Sequence, residues 1–125
     1  MFYLLYDNTI VDSKNLPKNV KIEKIEKDDK DNAFLIQIQY LDFLKTRKIG
    51  YIKKQSENVY DLIEVGDLVR YEDDFLGTTL LAEVYMNYGK LSLFDETDIK
   101  NLDILAIYKP NEKGDYIKVW EKKDD

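Results

Sequence analysis

The side chains able to do chemistry in this 125-residue chain are almost all charged or phenolic. The sequence contains 25 Asp and Glu, 19 Lys and Arg and ten Tyr, but neither histidine nor cysteine. Without imidazole or thiol, the commonest general base, the commonest transition-metal ligand and thiolate nucleophiles are excluded. Carboxylate, lysine or tyrosine acid–base catalysis remains, but among so many carboxylates no pair stands out. We therefore expect a non-enzymatic protein with no cofactor, and a hydrolase would need a histidine-free active site.

Two acidic clusters lie in the second half of the sequence. Residues 61–125 carry sixteen acidic side chains against eight basic ones, whereas residues 1–60 carry nine against eleven. Neither cluster has the spacing or the glycine of a calcium-binding loop, so we expect no metal site. The carboxylates either cap turns and face solvent, or together form a negative surface that docks onto a basic groove of a partner protein. The residues concerned are Glu72, Asp73, Asp74, Asp95, Glu96 and Asp98.

The densest basic stretch runs from Lys45 to Lys54 and contains no acid. Cations interleaved with an aromatic ring are typical of surfaces that follow a phosphate backbone and stack a base. Alternate cations also solvate the outer face of a strand, and a net charge of −6 is unusual for a nucleic-acid binder. Nucleic-acid binding is therefore the alternative to protein binding. Its residues are Lys45, Arg47, Lys48, Tyr51, Lys53 and Lys54.

The ten tyrosines and the single tryptophan also suggest a binding face, since aromatic side chains are favoured anchors of interfaces. Aromatic residues equally suit strands and fill small β cores. The candidate anchors are the tyrosines near loops or on the less apolar strand face. These are Tyr71, Tyr85 and Tyr88.

Short segments of alternating polarity, separated by turn signals, predict a mainly β protein with no long helix. The predicted strands are 2–6, 9–11, 20–25, 33–41, 48–52, 67–72, 79–86, 91–93, 103–109 and 116–121. In Asp61–Tyr71, Gly66 is the natural residue of a tight turn, Asp67 is free to bond nearby backbone, and an apolar strand follows. Pro110 and Gly114 predict a hairpin before the last strand.

The spacing of the later strands predicts a small closed barrel of the SH3-like or OB-like kind. We expect one domain over 1–125, with an N-terminal β-sheet or hairpin region at 1–58 leading into the barrel-type region at 59–123. The apolar run at residues 2–6 is too short for a signal peptide or a membrane span, so we expect a cytoplasmic protein.

Asp61–Tyr71 and Asp103–Lys122 together resemble the C-terminal part of small proteins encoded by phages and prophages of low-GC Gram-positive bacteria. The resemblance covers roughly the last sixty residues, and its marks are the VGD turn and the hairpin IYKPNEKGDYIKVWE. It brings no catalytic or ligand-binding residues. It implies an accessory protein that binds and modulates or inhibits a host protein, as anti-defence and anti-CRISPR proteins do, in the host cytoplasm.

Overall fold

The computed structural model describes residues 1–30, 33–73, 75–93 and 97–123. Strands make up 56% of these residues, so the prediction of a mainly β protein is confirmed. The strands are β1 (Phe2–Leu5), β2 (Ile10–Asp12), β3 (Val20–Asp28), β4 (Ala33–Tyr40), β5 (Arg47–Ser56), β6 (Leu68–Asp73), β7 (Thr78–Glu83), β8 (Tyr85–Asn87), β9 (Lys90–Ser92), β10 (Ile104–Pro110) and β11 (Tyr116–Glu121). Two short 3-10 helices span Val59–Leu62 and Ile99–Asn101. The chain divides into two compact units, Met1–Leu62 and Ile63–Asp125.

The first unit is a five-stranded antiparallel sheet with the strand order β2-β1-β5-β4-β3. The β1–β2 turn forms because Asn8 takes a positive φ of 69° and the Asp7 carboxylate accepts hydrogen bonds from Thr9. Strands β3 and β4 form an antiparallel hairpin, with Ile22 opposite Ile38 and Ile25 opposite Ile36. The first 3-10 helix packs against β1 and β5.

One face of this sheet carries a hydrophobic core centred on three buried side chains, Leu5, Ile36 and Ile38. Gly50 lies opposite Ile36 on β5, where a β-carbon would come within 2.6 Å of the Leu5 Cδ1 atom. The Leu5 side chain therefore fills the space that any larger residue at position 50 would need. The partly buried residues packed around this core are Tyr3, Val11, Val20, Ile22, Tyr40 and Ile52.

The second unit contains a four-stranded antiparallel sheet with the order β11-β10-β6-β7 and a separate β8–β9 hairpin. Alternation along β6 buries Val69 and Tyr71 and exposes Arg70 and Glu72. The predicted hairpin between β10 and β11 is present, and Gly114 takes the positive φ, 85°, that closes its turn.

The prediction of one continuous strand over 79–86 was wrong. Strand β7 ends at Glu83, because the backbone N–H of Val84 donates to the Asp67 carbonyl, and the Val84 carbonyl accepts from the Gly66 N–H. These bonds tie Val84 to the turn before β6, and β8 then starts at Tyr85. No sheet is closed among the residues that the structure describes, so the predicted SH3-like or OB-like barrel is not confirmed.

Candidate binding surfaces around a buried ion cluster

A buried lysine organises the second unit. Lys109 is 1% exposed, and its Nζ lies 2.6 Å from Asp67 Oδ2 and 3.0 Å from Glu64 Oε1. The Asp67 side chain is also buried, whereas about a third of the Glu64 side chain reaches solvent. Because a buried charge is costly unless it is paired and hydrogen-bonded, the two carboxylates are what allow a lysine at this inner position of β10.

The ion cluster joins the turn before β6 to the β10–β11 hairpin. The backbone N–H of Glu64 donates to Asp67 Oδ2 at 2.8 Å, which confirms that Asp67 bonds nearby backbone. From the hairpin, the Tyr116 hydroxyl donates to the Gly66 carbonyl at 2.7 Å. The VGD turn and the hairpin sequence are thus held together by contacts that span more than forty residues.

Burial raises the pKa of the Asp67 carboxyl above its usual 3.8. The hydrogen bond from Lys109, the bond from the Glu64 N–H and the charge of Lys109 oppose this rise without cancelling it. Loss of water around the carboxylate therefore has a larger effect on the pKa of Asp67 than these favourable interactions have.

The acidic residues chosen from the sequence fall into three groups. Asp73 and Asp98 cap local structure: Asp73 Oδ1 accepts from the N–H groups of Phe75 and Leu76, and Asp98 Oδ1 accepts from the N–H of Lys100. Glu72 is exposed on β6 opposite Thr79. The remaining three, Asp74, Asp95 and Glu96, lie outside the described residues.

The turn between β6 and β7 presents apolar side chains to solvent. Phe75 is 95% exposed and Leu76 is 60% exposed. Gly77 closes the turn with a φ of 66° and donates its N–H to the Asp73 carbonyl at 2.8 Å. We call Glu72, Asp73, Phe75, Leu76 and Gly77 the β6–β7 tip. Sequence analysis placed a loop here and overlooked its exposed anchors, although a Phe-Leu pair between two turn signals was visible in the sequence.

The three candidate tyrosines lie in different surroundings. Tyr71 is 4% exposed on β6, so its ring belongs to the core. Tyr85 is half-buried in β8. Tyr88, at the tip of the β8–β9 hairpin, is 95% exposed and has a φ of 50°. Neither burial nor backbone preference favours tyrosine at that position, since bulky residues rarely adopt positive φ.

The basic stretch does not form one surface. Arg47 Nε lies 3.1 Å from Glu23 Oε1, and Lys48 Nζ lies 2.7 Å from Asp7 Oδ2. Burial would raise the pKa of Asp7, but hydrogen bonds from Lys48 and Thr9 and the charge of Lys48 together lower it. Strand alternation places Arg47 and Tyr51 on the face opposite Lys48. Lys45 lies in the β4–β5 turn with a φ of 50°, and Lys53 and Lys54 are exposed near the end of β5.

The β4–β5 turn carries a second exposed Phe-Leu pair, which sequence analysis also overlooked. Phe43 is 98% exposed, and Leu44 beside it is largely exposed. The charges around this pair differ from those at the β6–β7 tip, because Asp42 precedes it and Lys45 and Arg47 follow it. The chain therefore presents the same two apolar residues twice, once between charges of both signs and once after carboxylates.

A groove of about 430 Å³ lies on the outer face of the four-stranded sheet. Three cations contribute to it, Arg70, Lys118 and Lys122, together with the half-buried ring of Tyr108. The Arg70 guanidinium carbon lies 6.0 Å from the centre of that ring. No pattern in the sequence pointed to this groove, because its residues come from four separate strands and the segment after β11.

Comparison of the chain with protein-family models, with curated proteins and with solved structures gives no match. Within 1–30, 33–73, 75–93 and 97–123, no group of three or more carboxylates is placed to hold a metal ion. Over the same residues, no helix has the length and apolarity needed to cross a membrane. The comparisons therefore contribute nothing to the proposals that follow.

Proposed function

We propose that this chain is a non-enzymatic binding module that docks its β6–β7 tip onto a partner protein. The observation that carries the proposal is the exposure of Phe75, 95%, at the end of a hairpin flanked by carboxylates. The partner's matching surface is an apolar pocket with basic residues around its rim.

The exposure of Phe75 and Leu76 supports this proposal on energetic grounds. An exposed aromatic side chain contributes almost nothing to folding, whereas burying one in a partner's pocket stabilises a complex by about 1.5–3 kcal/mol. Large aromatic side chains are also enriched among the residues that dominate interface energies. Because folding leaves these two side chains in water, burying them against a partner can stabilise a complex.

The hydrogen bonds of Asp73 add a second argument. Its Oδ1 accepts from the Phe75 N–H at 2.9 Å and from the Leu76 N–H at 3.2 Å. The backbone that carries the two apolar side chains is therefore ordered before a partner arrives. Pre-ordering lowers the entropy cost of docking, because less of the loop has to be immobilised on binding.

The charge of the tip favours a basic partner. Glu72 is exposed next to Asp73, and the sequence from 61 to 125 has twice as many acidic as basic residues. Such a field speeds the approach of a positively charged surface and disfavours nucleic acid or anionic lipid. A basic groove that normally holds nucleic acid would suit the tip. Occupying that groove would modulate or inhibit a host protein, in keeping with the resemblance to phage proteins.

The test compares two hairpin tips that carry the same residue types. The first variant combines Phe75→Ser and Leu76→Ser, and the matched control combines Phe43→Ser and Leu44→Ser in the β4–β5 turn. Each protein is used as affinity bait in host lysate treated with nuclease, and the affinity for any captured protein is then measured with purified components. Both variants should fold, because all four side chains are exposed.

We expect the wild-type protein and the control variant to bind one defined protein, and the Phe75/Leu76 variant to bind it at least tenfold more weakly. If only the Phe43/Leu44 variant failed to bind the partner, docking would occur through the β4–β5 turn, and the proposal would be overturned. Loss of every partner after nuclease treatment would also overturn it, in favour of nucleic-acid binding.

A further inference from the structure

The groove on the outer face of the four-stranded sheet contains one cation, Arg70, that forms no direct ion pair within the described residues. Lys118 Nζ lies 2.6 Å from Glu121 Oε2, and Lys122 Nζ lies 2.9 Å from Asp103 Oδ1. Across the described part of the chain, no carboxylate forms an ion pair with Arg70. Lys118 and Lys122 are therefore each paired with a carboxylate, whereas Arg70 has no direct ion pair in this part of the chain.

Arg70 also differs from the other cations in its chemistry. The chain has seventeen lysines and only two arginines, and the other arginine, Arg47, is paired with Glu23. A guanidinium offers donors in a planar fork that matches the oxygens of a phosphate, whereas an ammonium acts as a point charge. An unpaired arginine in a groove is thus suited to bind a phosphate group.

The rest of the groove supplies an aromatic wall and a small floor. Ala106 lies between Arg70 on β6 and Glu121 on β11 in the sheet register, and its short side chain leaves room above it. Tyr108 and Leu105 also line the groove. An aromatic face and an apolar side chain are the surfaces on which nucleobases stack. The volume, about 430 Å³, lies within the range of small-ligand sites.

We propose that this groove binds a free mononucleotide. Arg70 binds the phosphate, with Lys118 beside it, and the base lies against Tyr108 and Leu105. The Thr79 hydroxyl, which also lines the groove, is available to the sugar or the phosphate. This site is distinct in its residues from the β6–β7 tip and does not depend on a partner protein.

A free nucleotide fits better than a nucleic-acid strand. Binding a strand requires cations that neutralise several successive phosphates. Here only Arg70 among the groove's cations lacks a direct ion pair, and residues 61–125 carry sixteen acids against eight bases. A strand leaving the groove would meet mostly carboxylates, whereas a single phosphate needs only Arg70.

Isothermal titration calorimetry with the full chain tests the site. The titrants are AMP, UMP, adenosine, inorganic phosphate and a thymidine oligonucleotide. The protein variants are Arg70→Ala, Arg70→Lys and Tyr108→Leu, and the control is Lys113→Ala, which removes an exposed cation from the β10–β11 turn of the same unit. Circular dichroism of each variant establishes that it is folded.

We expect AMP or UMP to bind more tightly than adenosine or phosphate. Arg70→Ala should weaken nucleotide binding about tenfold or more, because a charge-assisted hydrogen bond is lost. Arg70→Lys and Tyr108→Leu should each weaken it less, and Lys113→Ala should leave it unchanged. No heat of binding at millimolar nucleotide, or equal affinity for the folded Arg70→Ala variant, would overturn the proposal. An oligonucleotide that binds more tightly than AMP through Arg70 would overturn the assignment to a free nucleotide.

Discussion

Replacing Lys109 by methionine should destabilise the second unit strongly. Methionine has a similar length and fills the apolar path of the lysine stem, so little cavity is created. The charge is lost, however, and the Asp67 carboxylate, whose side chain is 4% exposed, keeps only the Glu64 N–H among the bonds that the structure gives it. Breaking a buried ion pair by removing one partner costs about 3–5 kcal/mol, a large part of the stability of a typical small domain.

Urea unfolding followed by tryptophan fluorescence measures this cost. The only tryptophan of the chain, Trp120, lies on β11 of the second unit and therefore reports on that unit. Urea is preferable to guanidinium chloride, because a salt would screen the ion pairs under study. The control is Lys113→Met, the same substitution at an exposed position in the β10–β11 turn, which should change the free energy of unfolding by less than about 0.5 kcal/mol.

The pH dependence gives the sign of the effect. The folded-state pKa of Asp67 is raised above 3.8, so the folded protein binds a proton at this carboxyl more readily than the unfolded chain does. Protonation of Asp67 therefore stabilises the fold at low pH, and this stabilisation is lost as the pH rises through the folded-state pKa. Removing Lys109 removes a bond and a charge that lower this pKa, so the pKa rises further in the variant. The deficit of Lys109→Met relative to the wild type should therefore be smaller near about pH 4 than near about pH 7.

A double variant tests whether the unpaired Asp67 charge causes the loss of stability. Lys109→Met combined with Asp67→Asn removes both charges but keeps an amide oxygen that can accept the Glu64 N–H. We expect it to be more stable than Lys109→Met alone at neutral pH, because no unpaired charge remains buried. If the two substitutions were simply additive, or if the deficit of Lys109→Met did not change with pH, the account of the ion cluster would be wrong.

Two further predictions concern the backbone. Gly50→Ala should lower the free energy of unfolding of the first unit by about 1–3 kcal/mol, because its β-carbon would lie 2.6 Å from the buried Leu5 side chain. Adding Leu5→Ala should recover part of the loss introduced at position 50. Thermal unfolding followed by circular dichroism measures both variants, and a Gly50→Ala variant as stable as the wild type would show that Leu5 moves freely. Tyr88→Asn should stabilise the β8–β9 turn by about 0.5–1 kcal/mol, since asparagine tolerates the φ of 50° better than tyrosine does. Tyr88→Phe, measured in the same way, should have no such effect. Equal stability of the two variants would show that the turn relaxes around tyrosine.

Local signals in the sequence predicted much of the fold. Pro110 and Gly114 mark the last hairpin, and alternation in 33–41 marks the strand that becomes β4. Both signals act over a few residues and need no knowledge of the rest of the chain. The split after Glu83 was missed, because the periodic pattern continues through Val84 and the bonds that interrupt it come from Gly66 and Asp67.

The candidate sites were less predictable, since their properties depend on contacts between distant segments. Arg47 and Lys48 look like free cations in the sequence, but Glu23 on β3 pairs with Arg47 across β4, and Asp7 in the β1–β2 turn pairs with Lys48. Lys109 looks like a surface residue, but it is buried and bonded to two carboxylates that lie more than forty residues away in the sequence. Phe75 is of a residue type that usually lies in a core, but it is exposed. Charge and hydrophobicity predict the average position of a side chain, and the topology decides these three cases.

Photo-crosslinking from the β6–β7 tip tests the central claim most directly. A photoreactive phenylalanine analogue is placed at position 75 in one protein and at position 43 in another, and both are irradiated in nuclease-treated host lysate. We predict that position 75 yields one defined protein adduct, that excess wild-type protein competes it away, and that the Phe75→Ser/Leu76→Ser variant does not. Adducts that form equally from both positions, or that the serine variant also removes, would contradict docking through this tip.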